Sequence, residues 1–209
     1  MSDSCRTVGG GQCFTPSMFM TQPDQAGLFR SLHTPTAPLA LANTWDAASA
    51  RVIEAAGASA IATTSAGVAW SLGAPDGDVL TRGPALKLIA RIVAAVEVPV
   101  TADIEGGLGS DAAEVAETVA GVIAAGAVGI NIEDGTRTPT ELATRLAGAR
   151  QAADRAGADL FVNARIDTFL FGLGDPDTHG HWLAALGRDP ARGLTTTMAE
   201  ELLHWRTAL

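Results

Sequence analysis

Hydrophobic positions in this chain fall into short apolar runs separated by longer stretches of helical spacing. Five runs predict strands: Leu39–Ala42, Ala60–Thr63, Val98–Ala102, Gly129–Ile132 and Leu160–Ala164. Between them apolar residues recur every three or four positions, as on a helix with one buried face. A helix at Asp46–Ala56 is expected to turn Ala48, Val52 and Ala56 inward, and one at Pro84–Val96 to bury Leu86, Ile89, Val93 and Val96. A third, capped by Ser110, has Val115, Val119 and Val122 inward, and a fourth has Leu142, Leu146 and Ala149. The fourth opens with Thr138-Pro139-Thr140-Glu141, a capping box with proline at the first helical position. A long loop is expected from Ser65 to Arg82. Alternating strands and helices imply parallel strands joined by right-handed crossovers. A (β/α)8 barrel and an open doubly wound sheet both satisfy the pattern.

The alternation stops after Asp175. The expected organisation is a disordered leader at 1–24, a partial barrel domain at 25–176 and an atypical tail at 177–209. The tail offers no convincing strand, only a short helical stripe of Met198, Leu202 and Trp205. Both cysteines, Cys5 and Cys13, lie in the leader, without the spacing of a zinc site or a disulfide framework. No signal peptide is expected, and no apolar run reaches the roughly 18 residues of a membrane span. A cytoplasmic protein with no membrane association is the expectation. The 14 basic and 23 acidic residues give a net charge of -9, which argues against a nucleic-acid or membrane-surface partner.

Charged residues gather where three strands end. Asp103 and Glu105 follow the third, Glu133 and Asp134 the fourth, Arg165 and Asp167 the fifth. Parallel α/β proteins collect their chemistry at these ends. In an extended segment residues two apart point the same way, so Asp103 and Glu105 are expected to face one spot. Like charges held close call for a proton or a cation. Mg2+ suits an oxygen-only site and keeps several of its waters. Glu133 is expected to complete the shell, and Asp76 lies on a loop within reach of the same ion. Arg165 suits bidentate grip on a carboxylate or phosphate; its plainer role is a salt bridge to Glu133 or Asp134. The small residues Thr63 to Gly67 let backbone N–H groups approach an anion.

A rival reading comes from Gly107-Leu108-Gly109-Ser110-Asp111-Ala112, which matches a dinucleotide fingerprint and would mean an NAD-dependent oxidoreductase. Asp103 and Glu105 would repel a pyrophosphate there, and the glycines begin too late for the tight first turn. His33, His179, His181 and His204 lie away from the strand ends and read as surface residues. His179 and His181 with Trp182 make at most a weak metal patch.

Four segments together resemble the phosphoenolpyruvate mutase/isocitrate lyase superfamily. They are Thr64–Gly73 with Pro75-Asp76, Thr101–Gly109, Asn131–Asp134 and Asn163–Asp167, so the resemblance runs from about residue 36 to 175. It implies a (β/α)8 TIM-barrel fold, incomplete here at the C-terminus, and a homo-oligomer, dimer or tetramer. It implies a Mg2+-dependent lyase or mutase, acting on a small α-oxo acid or phosphonate through an enolpyruvate-type intermediate. Asp103 would ligate the metal directly, with Glu105, Glu133 and Asp76 holding it largely through waters. Arg165 would bind the substrate's carboxylate or phosphonate; Ser65, Ala66 and Gly67, together with Asn131, would complete the substrate site. Lyase members carry a Lys-Lys-Cys-Gly-His type loop after the fourth strand, with the cysteine as general acid. Here that loop reads Asp134-Gly135-Thr136-Arg137-Thr138-Pro139, so an isocitrate or methylisocitrate lyase reaction is not expected. A barrel short of strands is expected to expose two edges and an apolar interior, which leaves a non-catalytic homologue as the alternative.

Overall fold

A computed structural model describes residues 20–34, 39–172 and 194–195. Six parallel strands pair in chain order: β1 (Ala42–Thr44), β2 (Ile61–Thr63), β3 (Val100–Asp103), β4 (Gly129–Glu133), β5 (Phe161–Arg165) and the two-residue β6 (Leu194–Thr195). Each strand neighbours the next. That order is the barrel's, and it excludes a doubly wound sheet, in which strand order reverses at the middle. The described strands are two short of the eight that close a barrel. β6 lies in the segment expected to hold no strand; it pairs Val162 with Leu194 and Asn163 with Thr195.

Helices α2 (Ala47–Ala55), α4 (Arg82–Val93), α5 (Ala112–Ala124) and α6 (Pro139–Ala156) cover one face of the sheet. Ala102, Ile130, Ile132, Val162 and Ala164 pack there against Val115, Val119, Val122, Leu142 and Leu146. Strand side chains alternate between faces. The other row is therefore Thr101, Asp103, Asn131, Glu133, Asn163 and Arg165, paired in register across β3, β4 and β5. The concave face is polar, not apolar as expected, because the apolar residues of these strands serve the helices.

The predicted stripes hold for α5 and α6. On α2 the buried residue is Ala50, and Val52 is 69% exposed, so the Ala48–Val52–Ala56 stripe is corrected. Alanine on every side of this helix leaves its pattern ambiguous. α4 is rotated by about one position, burying Ala85, Leu88, Ile89 and Ile92. The cap of α5 is Asp111, whose Oδ1 accepts from the Ala113 and Glu114 N–H groups. Ser110, the predicted cap, instead donates to Glu114. β1 begins three residues later than predicted, because Leu39 and Leu41 pack beneath the barrel.

The capping box at Thr138 forms as predicted, with Glu141 accepting from the Thr138 N–H at 2.8 Å. That bond and the one from the Thr138 hydroxyl hold the Glu141 carboxyl below its usual range. Thr138→Ala is expected to cost about 1 kcal/mol of stability at neutral pH. A depressed pKa stabilises only while the group is ionised. The difference from wild type in urea denaturation therefore shrinks as pH falls through the carboxylate range.

α1 (Gln22–Ser31) starts inside the predicted leader, which corrects its boundary at 24. Thr21 and Asp24 form a second capping box, with proline in the first turn. α1 plugs the N-terminal end of the strands. Ala26 and Phe29 join Ala60, Val128 and Phe161, each at or just before a strand's start. His33 stacks on Phe161, with ring centroids 4.2 Å apart, so it is a packing residue rather than a surface one. Gln22 Nε2 donates to the carbonyls of Ile123 and Ala127 at 2.9 and 3.0 Å. A short α3 (Ser65–Ser71) interrupts the predicted loop, and the four-residue α7 (Thr168–Phe171) follows β5. No helix among the described residues is long and apolar enough to cross a membrane. The leader through residue 19, His179, His181, Trp182, His204 and the Met198 stripe lie outside the described residues.

Candidate active site

β3 delivers Asp103 to the C-terminal rim, and its carboxylate is held on several sides. Oδ2 accepts from the Ser65 N–H at 3.2 Å. Oδ1 accepts from the Glu105 N–H and from Asn131 Nδ2, both at 3.2 Å. Asn163 Nδ2 donates to Asn131 Oδ1 at 2.7 Å, which fixes which way the Asn131 amide faces. The Asp103 N–H donates to Thr63 Oγ1 at 2.8 Å. Strands β2 to β5 thus contribute to one hydrogen-bonded row.

Glu133 and Arg165, opposite each other in the β4–β5 register, form an ion pair. Arg165 also grips Asp167 bidentately, Nε at 2.8 Å and Nη2 at 3.0 Å. Of the two salt-bridge partners expected of Arg165, Glu133 is seen, and Asp167 is added. Burial opposes the Arg165 charge, but Asp167 and Glu133 more than offset it and raise its pKa. Burial pushes the Glu133 carboxyl up to about 8, against the pull of Arg165 and with help from the Asp103 charge. Its Oε2 is buried and, apart from the ion pair, makes no regular hydrogen bond. Asp134 is buried and accepts the Asp167 N–H at 2.8 Å, tying the ends of β4 and β5 together.

Glu105 does not share Asp103's spot. The strand ends at Asp103, and Glu105 is left-handed at φ 53°. The alternation argument stops applying there. Its carboxylate turns to accept the Asp78 N–H. Burial raises its pKa, with the charges of Asp78, Asp76 and Asp103 adding to the effect. Asp76 is exposed on its loop and meets the group only as one of these charges. Among the described residues, no three Asp, Glu, His or Cys side chains converge on one ion. The resemblance implies one direct ligand, Asp103, with Glu105, Glu133 and Asp76 acting largely through waters, an arrangement that does not require such convergence. The donor set fits a hydrated hard cation: every candidate ligand atom is oxygen, Asp103 is presented singly, and Glu133 is a buried acid whose charge one guanidinium only partly offsets.

Ser65, Ala66 and Gly67, predicted as a loop cradle, are the first turn of α3, with the Ser65 N–H aimed at Asp103. The Gly107–Ala112 segment is occupied structurally. Asp111 fills the N-terminus of α5, and a side chain at Gly107, at φ 112°, would collide with Val115. Arg145, 7% exposed, donates to the carbonyls of Gly106, Gly109 and Ser110 at 2.7, 2.9 and 2.8 Å. A dinucleotide pyrophosphate has no helix end to bind there. Asp78, Arg137 and Arg145 were not singled out from the sequence. Asp78 sits in an Asp-Gly-Asp turn, and the partners of both arginines lie dozens of residues away.

The sequence profile of phosphoenolpyruvate phosphomutase matches residues 29–189. The chain belongs to this family. The match runs beyond residue 175, where the resemblance was expected to end. An uncharacterised protein of Mycobacterium tuberculosis is 38% identical to this phosphomutase-family chain over 141 residues, 68% of this chain and 53% of its own. The 2-methylisocitrate lyase of Escherichia coli K12 is 39% identical over 118 residues, 56% of this chain and 39% of the enzyme. The chain spans about half or less of the length of these curated relatives. Among solved structures, a Burkholderia cenocepacia J2315 protein described as a candidate phosphonomutase aligns with TM-score 0.73 and 46% identity, over 81% of this chain and 73% of that one.

Proposed function

We propose that this chain is a Mg2+-dependent lyase or mutase, making or breaking a C–C or P–C bond next to an α-oxo acid. The hold on Asp103 carries the reading. Three N–H donors on β-strand ends and on α3 fix one carboxylate at the rim, among a surplus of acids. Asp103 is the direct ligand in this reading; Glu133, Glu105 and Asp76 hold the ion through waters. When bound, Mg2+ supplies positive charge opposite the oxygen that gains electron density as the bond breaks.

The chain's own residues do the rest. Arg165, oriented by Asp167, binds the substrate's carboxylate or phosphonate. N–H groups in the first turn of α3 face the pyruvate-like end. Asn131, its amide set by Asn163, keeps Asp103 turned toward the centre. The small oxo-acid class is supported by family membership and by the relative named 2-methylisocitrate lyase.

Calorimetric titration of the full chain with oxalate, a mimic of enolpyruvate, tests the reading. Binding is expected with Mg2+ and none after chelation with EDTA. A folded sample that binds oxalate under neither condition would overturn it in favour of a non-catalytic homologue.

A further inference from the structure

The loops following α3, β3 and β4 meet in a polar cluster that the proposed reaction leaves unexplained. Asp78, on the 72–81 loop, is its centre. The Asp78 N–H donates to Glu105 Oε2. Its Oδ1 accepts the Gly106 N–H at 3.1 Å, and its Oδ2 accepts Arg137 Nη2 at 2.5 Å. Arg137 Nη1 also reaches the Asp134 carbonyl at 3.4 Å. A side chain on Gly106 would collide with both Arg137 and Asp78, so the close approach requires glycine there.

Two residues in this cluster carry left-handed backbone without being glycine: Asp78 at φ 60° and Glu105 at φ 53°. Such a conformation is unfavourable for a residue with a Cβ and persists only where the surroundings impose it. The imposing contacts here are the ones just named. From below, the buried Arg145 fixes the carbonyls of Gly106, Gly109 and Ser110, so the 105–110 segment forms a firm seat. From above, Asp78 rests on that seat, with Arg137 as the cation in direct contact with it and Arg145 attracting it from below. Asp78 stands beside Glu105 and Asp76, both acids. Without the guanidinium, repulsion favours lifting the 72–81 loop away.

We propose that Arg137 is a positioning residue: through Asp78 it clasps the 72–81 loop onto the ends of β3 and β4 and so fixes the direction of the Glu105 carboxylate. The functional consequence rests on the reading above, in which Glu105 and Asp76 help hold the cation. Closed, the clasp brings both acids to the rim; open, it withdraws Asp76 with the loop and releases Glu105.

Amide hydrogen exchange and calorimetry on the full chain test this together. Arg137→Gln is expected to speed exchange at the Asp78 and Gly106 amides by about tenfold or more, while α1 and the strands keep their protection. It is expected to weaken Mg2+-dependent oxalate binding roughly tenfold. Arg137→Lys, keeping the charge without the fork, restores part of both. Unchanged exchange at these two amides overturns the proposal. So does acceleration spread evenly over the chain, which marks a general stability role. If Arg137→Gln does not fold, Arg137→Met keeps the apolar stem and removes the charge while leaving Asp78 ionised; the same expectation and the same overturning results apply. If the wild-type chain binds no oxalate, the proposed function fails while the clasp is still decided by exchange.

Discussion

Asp103→Ala is expected to abolish Mg2+-dependent oxalate binding, weakening it by more than about 100-fold, the upper range for losing an outer partner of a metal site. Asp103 is a rim carboxylate whose direction is fixed by three donors at once. Its loss removes the proposed direct ligand and leaves the Ser65 and Glu105 N–H groups without their acceptor. Asn131→Ala, which removes one of the donors, is expected to cost closer to tenfold. Calorimetry gives both numbers, and circular dichroism checks that each variant is folded. An Asp103→Ala protein that binds Mg2+-oxalate like wild type would remove this residue from the site.

Arg145→Met has the largest expected effect on stability. The guanidinium lies inside the α5–α6 packing and satisfies three carbonyls of one loop. Methionine keeps the apolar stem but donates nothing, so three acceptors, the buried Gly106 carbonyl among them, are left short. The expected loss is on the order of 3–5 kcal/mol, seen as a lower urea midpoint. Arg145→Lys recovers only part, because one ammonium lacks the planar fork that spans several acceptors. The Gly106–Ser110 segment is also expected to become susceptible to limited proteolysis. A stability change below about 1 kcal/mol would show that solvent replaces the arginine at no cost.

The strand ends were legible because the apolar runs are short and their charged terminators stand out. Asp103, Asn131, Glu133 and Arg165 fall on one face by simple alternation, and the register across β3, β4 and β5 places them so. Glu105 was misplaced because nothing in a glutamate announces a positive φ. The turn sends its side chain to the Asp78 N–H, 27 residues earlier in the chain, a partner no local pattern announces. Arg145 escaped notice for a related reason. It lies between Leu142 and Leu146 on the inward stripe, but an arginine reads as solvent-facing until its carbonyl partners are known. α3 was read as loop because Ser65-Ala66-Gly67 has the composition of a turn. The choice between barrel and doubly wound sheet lay in strand order, which no local pattern encodes.

The plug at the base of the strands has a consequence for synthesis. α1 is made early, yet its partners come late: Gln22 bonds to Ile123 and Ala127, Arg30 pairs with Asp159, and Phe29 packs on Phe161. On the ribosome this helix lacks its Asp159 and Phe161 partners until β5 has emerged. Units closed by neighbouring strands can assemble in sequence, but the final seal joins α1 to a segment more than a hundred residues downstream. Such long-range closure is slow compared with local pairing. The nascent chain therefore carries an unsheltered aromatic, Phe29, through most of its elongation, a natural point of engagement for chaperones.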